Sequence, residues 1–282
     1  MEVKFTVTQR QRLIELNVSE DILEISFPDN AGRDTFFKKT EAGLIKSNKD
    51  HLHKLLNEYH RPKLSDIEDR LSYWLREKEG FTQVVTPIII SENMLAKMTI
   101  TEDHPLRSQV FWLEQGRKCL RPMLAPNLYE LMRDIHKVTK DPVRIFEIGP
   151  CFRKESQGAQ HLNEFTMLNL VEFAGTEDGS QISRLKELAK GAMEAVGISD
   201  YQLEVTESEV YGETVDVVKD GAELGSGAYG PHVLDSRWGI FDTTWVGIGF
   251  GLERIAMSAG NYSTIKRVGR SLAYLDGIRL NV

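Results

Sequence analysis

The chain has 282 residues, of which 41% are hydrophobic and 27% are charged, as in ordinary globular proteins. No apolar run approaches the roughly 20 residues that span a bilayer, and the first residues do not resemble a secretion signal. Two cysteines, Cys119 and Cys151, are too few for a disulfide framework, so we expect a cytoplasmic protein without a membrane partner. The net charge of −7 neither indicates nor excludes nucleic-acid binding, because phosphate contacts depend on particular basic side chains.

The first part of the chain predicts a small helical segment. Residues 1–63 contain short helical patterns with charges of both signs, and they end at the helix breaker Arg61-Pro62. We expect the main domain to occupy residues 64–282.

A helix and an interrupted strand should open the main domain. Residues 65–68 have the pattern of a capping box, and apolar residues at helical spacing continue to Leu75. Gly80 would cap the carboxyl end of this helix. Residues 81–90 then alternate as a strand, but Pro87 fits an edge or interface strand better than a central one.

The remaining pattern predicts an α+β domain with a mainly antiparallel sheet flanked by helices. Strands are expected at 110–113, 143–148, 164–172, 215–218, 223–227 and 245–250, and residues 118–121 should lead into a turn. Helices are expected at 126–136, at 182–196 and from Leu252. Consecutive strands with helices inserted between some of them do not follow the strict βαβ alternation of a parallel sheet.

An arginine at the end of one predicted strand is the first candidate for chemistry. Arg153 ends the strand, Glu155 opens a polar loop, and Phe165 begins the returning strand. Arginine suits a phosphate because its planar guanidinium donates two parallel hydrogen bonds and stays charged. Glu155 could accept a hydrogen bond from an exocyclic amine. Taken alone, this Arg-x-Glu pattern is more often a surface ion pair.

A glycine-rich strand near the carboxyl end is the second candidate. Gly247, Gly249 and Gly251 precede Arg254, which should lie just inside a helix. A dinucleotide-binding loop requires a different glycine spacing, early in a βαβ unit, so that interpretation fails. The glycines would instead let a flat ligand lie against the backbone, with Arg254 stacked on its ring.

Together, these two segments resemble the second and third signature motifs of the class II aminoacyl-tRNA synthetases. Thr86-Pro87 resembles the first motif, which forms the dimer interface in that family, and the three segments stand in the family's order. More narrowly, residues 120–129, 152–170 and 245–254 resemble the pyrrolysyl-tRNA synthetases, in their bacterial form that contains the catalytic domain alone. The resemblance runs from about residue 60 to the carboxyl terminus and is looser before it.

The resemblance implies an ATP-dependent ligase with the class II catalytic fold. It would activate L-pyrrolysine to the adenylate, release pyrophosphate, and transfer the amino acid to the 3′ end of tRNA(Pyl), with Mg²⁺ accompanying ATP. Arg153 would hold the α-phosphate, and Glu155 and Arg254 would complete the catalytic set with adenine contacts. The implied ATP-binding residues are Arg153, Glu155, His161, Leu162, Phe165, Glu223, Ser226 and Arg254, of which Glu223 and Ser226 would lie near the magnesium.

The resemblance also implies an amino-acid pocket of apolar and small residues with one amide. Its residues would be Ala125, Leu128, Tyr129, Met132, Asn169, Val171, Tyr211, Trp245 and Gly247. Asn169 would donate to the side-chain amide carbonyl of pyrrolysine, and Tyr211 would close over the ring. Such a pocket predicts tolerance of other Nε-acyl-lysines. By spacing alone, Leu128, Met132 and Val171 indicate core. Tyr229 either fills part of the pocket or, as we favour, faces away and packs the strand.

The sequence does not decide which partners the protein has, and it allows other functions. The resemblance implies a homodimer, and either a separately encoded small protein or residues 1–60 would assist tRNA binding. Candidate tRNA contacts, each equally explained as a solvated charge, are Arg10, Arg12, Lys38, Lys39, Lys137, Lys140, Lys266, Arg267 and Arg270.

A class II synthetase for another amino acid is the main alternative, although a phosphoserine pocket would need further cations near Asn169. A non-catalytic paralogue would be expected to lose Arg153, Glu155, Glu223 or Arg254, and a pure tRNA-binding module would not need the glycine strand.

Overall fold

A computed structural model of the protein describes residues 2–114, 116–154, 161–208, 210–262 and 264–280. The α-helices are α1 (Val7–Glu15), α2 (Glu20–Leu23), α3 (Asn30–Lys54), α4 (Lys63–Glu77), α5 (Glu92–Lys97), α6 (Pro105–Ser108), α7 (Ala125–Thr139), α8 (Gln181–Val196) and α9 (Leu252–Ala259). The strands are β1 (Thr82–Gln83), β2 (Ile89–Ser91), β3 (Lys118–Leu120), β4 (Val143–Phe152), β5 (Glu164–Phe173), β6 (Gln202–Ser208), β7 (Gly212–Lys219), β8 (Ala222–Gly230), β9 (Trp245–Gly251), β10 (Tyr274–Leu275) and β11 (Ile278–Arg279). None of the helices in these ranges is long and apolar enough to cross a membrane.

The first helices form a small core of their own. Helix α1 begins at a capping box, in which Thr6 accepts from the Gln9 backbone and Gln9 accepts from the Thr6 backbone. The rings of Phe5 and Phe27 lie edge to face at 5.0 Å, and Leu13 is fully buried between the helices. Helix α3 is a single element of 25 residues, longer than the short helical patterns of this segment indicate.

Helix α4 begins earlier than predicted, and the capping box expected at residues 65–68 is wrong. The helix starts at Lys63, Pro62 is its N-cap, and no side-chain cap is formed there. Instead, the Lys63 N–H donates to the Asp276 carboxylate at 2.7 Å, so a distant residue satisfies the first turn. The carboxyl end follows the prediction, because Gly80 has φ = +71°.

A seven-stranded sheet forms the centre of the molecule, in the order β1-β4-β5-β9-β8-β7-β6. All neighbours are antiparallel except β1 and β4. The expected strand at 81–90 is divided between β1 at the sheet edge and β2, which pairs with β3 in a separate ribbon. The strand expected at 110–113 is wrong, since Trp112 makes only an isolated bridge to Cys119.

The two faces of the sheet carry different packing. Along β9, Val246, Ile248 and Phe250 point into the core that α4, α8 and α9 cover. Trp245 points to the opposite face, where it belongs to a second core with residues of α7. Because side chains alternate along a strand, Gly247, Gly249 and Gly251 share the face of Trp245. This second face, opposite the α8 layer, carries the candidate site.

Candidate active site

A cavity of about 260 Å³ lies over the central strands β5, β8 and β9. All predicted site residues except Glu155 line it: Ala125, Leu128, Tyr129, Met132, Arg153, His161, Leu162, Phe165, Asn169, Val171, Tyr211, Glu223, Ser226, Trp245, Gly247 and Arg254. Glu155 lies outside the described residues. Positions from residue 125 to residue 254 therefore meet in one space.

Glycine positions make the floor of this cavity. In the sheet, Gly249 pairs with Asn169 of β5 on one side and with Ser226 of β8 on the other. Gly247 pairs in the same way with Val171 and Ala228. A Cβ atom at Gly249 would approach the Asn169 amide to 3.0 Å, so glycine leaves room for that side chain.

Arg153 is held by the segment that precedes α7. Its Nε donates to the Pro122 carbonyl at 2.9 Å, and the Phe152 N–H donates to the Arg121 carbonyl at 3.0 Å. Its guanidinium carbon lies 5.3 Å from the centre of the Phe165 ring. The arginine therefore projects from a strand end whose backbone and side chain are both fixed, as a precise ligand contact requires.

Buried interactions of Arg121 stabilise the segment that precedes α7. It is 1% exposed and pairs with the buried Glu147 at 2.8 Å, and both residues bond the Thr86 hydroxyl. The Asn127 amide donates to the same hydroxyl and to the Pro87 carbonyl at 2.9 Å. A buried ion pair satisfied by additional hydrogen bonds joins the Thr86-Pro87 segment, β4 and α7.

Oxygen atoms lie close to Arg254, at the end of the cavity that also holds Arg153. Its Nη1 donates to the Glu223 carbonyl at 3.0 Å and lies 3.7 Å from the Glu223 carboxylate. Burial raises the pKa of Glu223, and Asp216 adds to that effect, whereas Arg254 and Arg153 lower the pKa. Ser226 donates its hydroxyl proton to Asp216 at 2.6 Å, so its lone pairs stay available to another group.

These oxygens fit a magnesium ion that is held mainly through a polyphosphate. Mg²⁺ prefers oxygen ligands and usually takes one or two carboxylates together with substrate phosphates. Glu223 and Ser226 offer a carboxylate and a hydroxyl on one strand. Within the described ranges, no group of three or more His, Cys, Asp or Glu residues could hold a metal alone.

The opposite end of the cavity is aromatic and apolar. The Tyr129 and Trp245 rings lie edge to face at 5.5 Å, and Tyr211 lies 6.3 Å from Trp245 in the same arrangement. Leu128, Met132 and Val171 are almost fully buried and also line the cavity. These three residues therefore belong to the buried core and also line the cavity. Asn169 lies between this end and the arginines, and its Oδ1 is buried without a hydrogen bond to any described residue.

Tyr229 faces away from the cavity, as favoured from the sequence. Ala228 lines the cavity, and the next residue along β8 points to the other face. The Tyr229 hydroxyl donates to Glu213 at 2.8 Å on the surface, and its ring packs against the core beneath α8.

One candidate tRNA contact is wrong. Arg267 is 1% exposed, and its guanidinium donates to the Gly277 carbonyl at 2.7 Å and to the Ile14 carbonyl. It joins α1 to the carboxyl-terminal part of the chain and is not accessible to a polyanion.

Several cavity residues were not identified from the sequence as site residues: Met123, Met167, Leu170, Ala228, Glu253 and Ile265. Glu253 is the most informative of them. Its two carboxylate oxygens accept the Thr166 N–H at 2.8 and 2.9 Å, one residue beyond the last pair of β5 with β9, Met167 with Gly251. Burial raises the pKa of Glu253. Strand alternation on β5 could have indicated Met167, but nothing local indicates that Glu253 replaces a strand partner.

The arrangement suits a ligand that has an anionic part and a bulky apolar part. Two guanidinium groups and bare glycine backbone suit a nucleotide, and the aromatic end suits a long apolar side chain. No break separates the two ends, so both parts can be held in one cavity with Asn169 between them.

Comparisons with known proteins agree with this arrangement. The family model described as "tRNA synthetases class II core domain (F)" matches residues 48–276. A crystal structure of the pyrrolysyl-tRNA synthetase from Desulfitobacterium hafniense matches with a TM-score of 0.94 and 53% identity, covering 100% of both chains. A second solved pyrrolysyl-tRNA synthetase from the same organism has a TM-score of 0.91 and 52% identity, covering 99% of this chain and 98% of that one.

More distant sequence relatives charge other tRNAs. The O-phosphoserine–tRNA(Cys) ligase of Methanothermobacter thermautotrophicus is 26% identical over 166 residues, which are 54% of this chain and 30% of that protein. The chain thus spans less than a third of the length of the curated relatives that it matches. The family model covers most of the chain, and the solved structures align over nearly all of it. The chain belongs to the class II aminoacyl-tRNA synthetases and, within them, to the pyrrolysyl-tRNA synthetases.

Proposed function

We propose that the protein is a pyrrolysine–tRNA(Pyl) ligase. It activates L-pyrrolysine with ATP to the aminoacyl-adenylate, releases pyrophosphate, and transfers the amino acid to the 3′ end of tRNA(Pyl). One observation carries the proposal: a continuous cavity has two arginines and bare glycine backbone at one end and aromatic side chains at the other. An adenylate combines these two parts in one molecule.

ATP occupies the arginine end in this proposal. Arg153 holds the α-phosphate, and Arg254 and Phe165 enclose the adenine ring, which Glu155 contacts through its amine. His161 and Leu162 belong to the loop that covers the remaining phosphates. Attack of a carboxylate on the α-phosphate requires charge neutralisation and alignment, so positioned cations contribute more than a protein nucleophile would.

Glu223 and Ser226 hold the magnesium ion that accompanies ATP. The ion supplies charge neutralisation at the phosphates when it is bound. Asp216 supports this end by accepting a hydrogen bond from the Ser226 hydroxyl, which leaves the lone pairs of that oxygen available to the ion.

Pyrrolysine occupies the aromatic end. Asn169 donates to the side-chain amide carbonyl, and Tyr211 covers the ring. The other pocket residues are Ala125, Leu128, Tyr129, Met132, Val171, Trp245 and Gly247. Apolar burial at about 25 cal/mol per Å² dominates recognition, and such a pocket tolerates other bulky Nε-acyl-lysines.

The assembly includes tRNA(Pyl) and a second copy of the chain. The helical segment 1–63 contacts the tRNA, with or without a separately encoded small tRNA-binding protein. The apolar side chains around Thr86-Pro87 are exposed in the single chain, and they support a homodimer through this segment.

Pyrophosphate exchange driven by different amino acids tests the proposal. The protein is incubated with ATP, labelled pyrophosphate and either pyrrolysine, phenylalanine or O-phosphoserine. Exchange with pyrrolysine alone is expected. Exchange driven by phosphoserine or phenylalanine would assign the protein to another amino acid, which is the alternative function.

Arg153→Ala tests the role of the arginine in the same assay. Loss of the charged phosphate contact should reduce exchange by at least about a hundredfold, since one transition-state donor contributes that much in other enzymes. Arg144→Ala is the matched control, because Arg144 lies at the opposite end of β4 from Arg153, is partly exposed and pairs with Glu172, away from the cavity. Unaltered exchange in Arg153→Ala, with the same melting temperature, would refute the assigned role.

A further inference from the structure

A buried carboxylate lies behind the aromatic end of the cavity without lining it. Asp235 is 4% exposed, and its Oδ2 accepts the indole N–H of Trp245 at 2.9 Å. The same oxygen accepts the backbone N–H of His232 at 2.7 Å. Hydrogen bonds to a charged acceptor are stronger than neutral ones, so this carboxylate fixes both donors.

His232 extends the contact to Tyr211. Its Nδ1 accepts the Leu234 N–H at 3.2 Å, so in the neutral ring the proton is on Nε2. Nε2 therefore donates to the Tyr211 carbonyl, 2.9 Å away, and the two rings lie edge to face at 5.9 Å. One turn thus contacts the side chain of Trp245 on β9 and the backbone of Tyr211, which directly precedes β7.

The backbone of the same turn is shaped around the indole. A Cβ atom at Gly230 would lie 1.9 Å from the Trp245 Nε1 atom, so any side chain there would displace the ring. On the other side of the pocket, Tyr129 stacks on Trp238 at 5.1 Å, and Trp238 belongs to the 3-10 turn that Asp235 begins. Residues 230–238 therefore form one support for three aromatic rings.

We infer that Asp235, together with His232, is a positioning residue that sets the amino-acid specificity of the pocket by holding Trp245 and Tyr211 in place. The inference rests on the proposed function, because it assigns the aromatic end to the amino acid. Asp235 contacts these residues and not the nucleotide end, so its loss should alter amino-acid binding and leave ATP binding unchanged.

Two substitutions at Asp235 separate hydrogen bonding from volume. Asp235→Asn keeps an oxygen that can accept both N–H groups, whereas Asp235→Leu is similar in size and leaves them unpaired. We expect Asp235→Leu to raise the KM for pyrrolysine about tenfold or more, as expected for buried donors left unpaired, with the KM for ATP within about twofold. Asp235→Asn should stay within about threefold of the parent protein. Equal increases in both KM values, or no recovery in Asp235→Asn, would overturn the inference.

A double-mutant cycle provides a second measurement. Phenylalanine at position 245 has no N–H, so Asp235→Leu should have a smaller effect on the KM for pyrrolysine in the Trp245→Phe background. Additive effects would contradict a direct contact. His232→Gln, which can still donate to the Tyr211 carbonyl, should be milder than His232→Leu, and the reverse order would exclude the histidine link.

The indole resonance of Trp245 separates this inference from the proposed function. Its ¹⁵N–¹H signal should shift in Asp235→Leu and stay near its original position in Asp235→Asn, with no substrate present. An unshifted signal in Asp235→Leu overturns the positioning role. Failure of the parent protein to exchange pyrophosphate with pyrrolysine overturns the proposed function, and the indole measurement is unaffected by that result.

Discussion

Asn169 lies within the cavity at a position where a small change should separate amino-acid recognition from nucleotide binding. Its side chain lies over Gly249, in the sheet row that continues to Ser226. Asn169→Ala should raise the KM for pyrrolysine about tenfold to a hundredfold, because the substrate carbonyl would lose its donor. Pyrophosphate exchange at saturating ATP measures this effect.

A substrate without the carbonyl is the matched control for Asn169. An amino acid of similar size with an uncharged hydrocarbon side chain should show nearly the same KM in the parent protein and in Asn169→Ala. If the substitution weakens both substrates equally, Asn169 shapes the pocket and does not contact the carbonyl.

The carboxyl of Glu223 should make magnesium-dependent ATP binding sensitive to pH. Burial raises the pKa of Glu223 above its ordinary value of 4.5, so the proton is retained to a higher pH than on a free glutamic acid. The charged form, which is the form that assists the metal, is therefore lost as pH falls through this raised pKa. We expect the affinity for ATP with magnesium to decrease over that interval, as calorimetry at successive pH values would detect.

Glu223→Gln is the control for this titration. The amide does not ionise, so the decrease due to this residue should be absent, and affinity should be low at every pH. The same pH profile in the variant and the parent protein would assign the titration to a different group.

Single residues also show which parts of the site could be predicted from the sequence alone. Arg153 and Arg254 could be selected because a strand end and a glycine strand are visible in local patterns. Asp235 and Glu253 could not be selected in this way. Asp235 acts through its contact with Trp245 on β9, and Glu253 acts through its contact with Thr166, which is distant along the chain. Asn169 and Tyr211 were found only by resemblance, because an isolated amide or phenol side chain has many ordinary explanations.

Strand β9 has one face toward the cavity and one face toward the core, and substitutions at two glycines can test this assignment. A Cβ atom at Gly251 would have no neighbour closer than 3.8 Å, the Arg254 side chain, and would point into the cavity. Gly251→Ala should therefore fold normally and weaken ATP binding by placing a methyl group in the nucleotide space. A melting curve and the KM for ATP measure the two effects.

Gly225→Ala, on the adjacent strand β8, should behave in the opposite way. Its Cβ would lie 2.4 Å from the Phe250 ring, on the core side of the sheet. Overpacking of this kind costs about 1–3 kcal/mol, so the melting temperature should fall. A normal melting temperature for Gly225→Ala, or a large loss of stability for Gly251→Ala, would show that the assignment of faces is incorrect.

Elements with a strong period were predicted well, and elements that depend on distant partners were not. Helices α7 and α8 and strands β4, β5 and β9 carry clear apolar periods and lie near the expected positions. Strand β6 was missed because it is an edge strand with mostly exposed side chains and little alternation. The start of α4 was misplaced because Asp276, more than two hundred residues away, takes the role of the local cap.

The exposed apolar segment around Thr86-Pro87 is the feature of the whole molecule that a single chain leaves unexplained. Val85 is 91% exposed and Ile89 is 50% exposed, beside the edge strand β1. Contiguous exposed apolar side chains typically mark an interaction surface. The same segment is hydrogen-bonded through Thr86 to Arg121 and Asn127. Arg121 directly precedes Pro122, which accepts the Arg153 hydrogen bond, and Asn127 directly precedes Leu128 of the cavity.

We therefore expect a homodimer at micromolar concentration, and we expect its loss to reduce activity. Val85→Asp with Ile89→Asp should convert the protein to a monomer by light scattering, because a dimer would bury two added charges at the interface. Val7→Asp, at an equally exposed position in α1, should leave the dimer intact. Pyrophosphate exchange should fall in the monomeric variant, since an unsupported Thr86-Pro87 segment would loosen the hydrogen bonds that hold Arg121 and, through Pro122, Arg153. If the monomeric variant is fully active, the apolar segment does not support the site. If the parent protein is itself monomeric, the proposed homodimer is wrong.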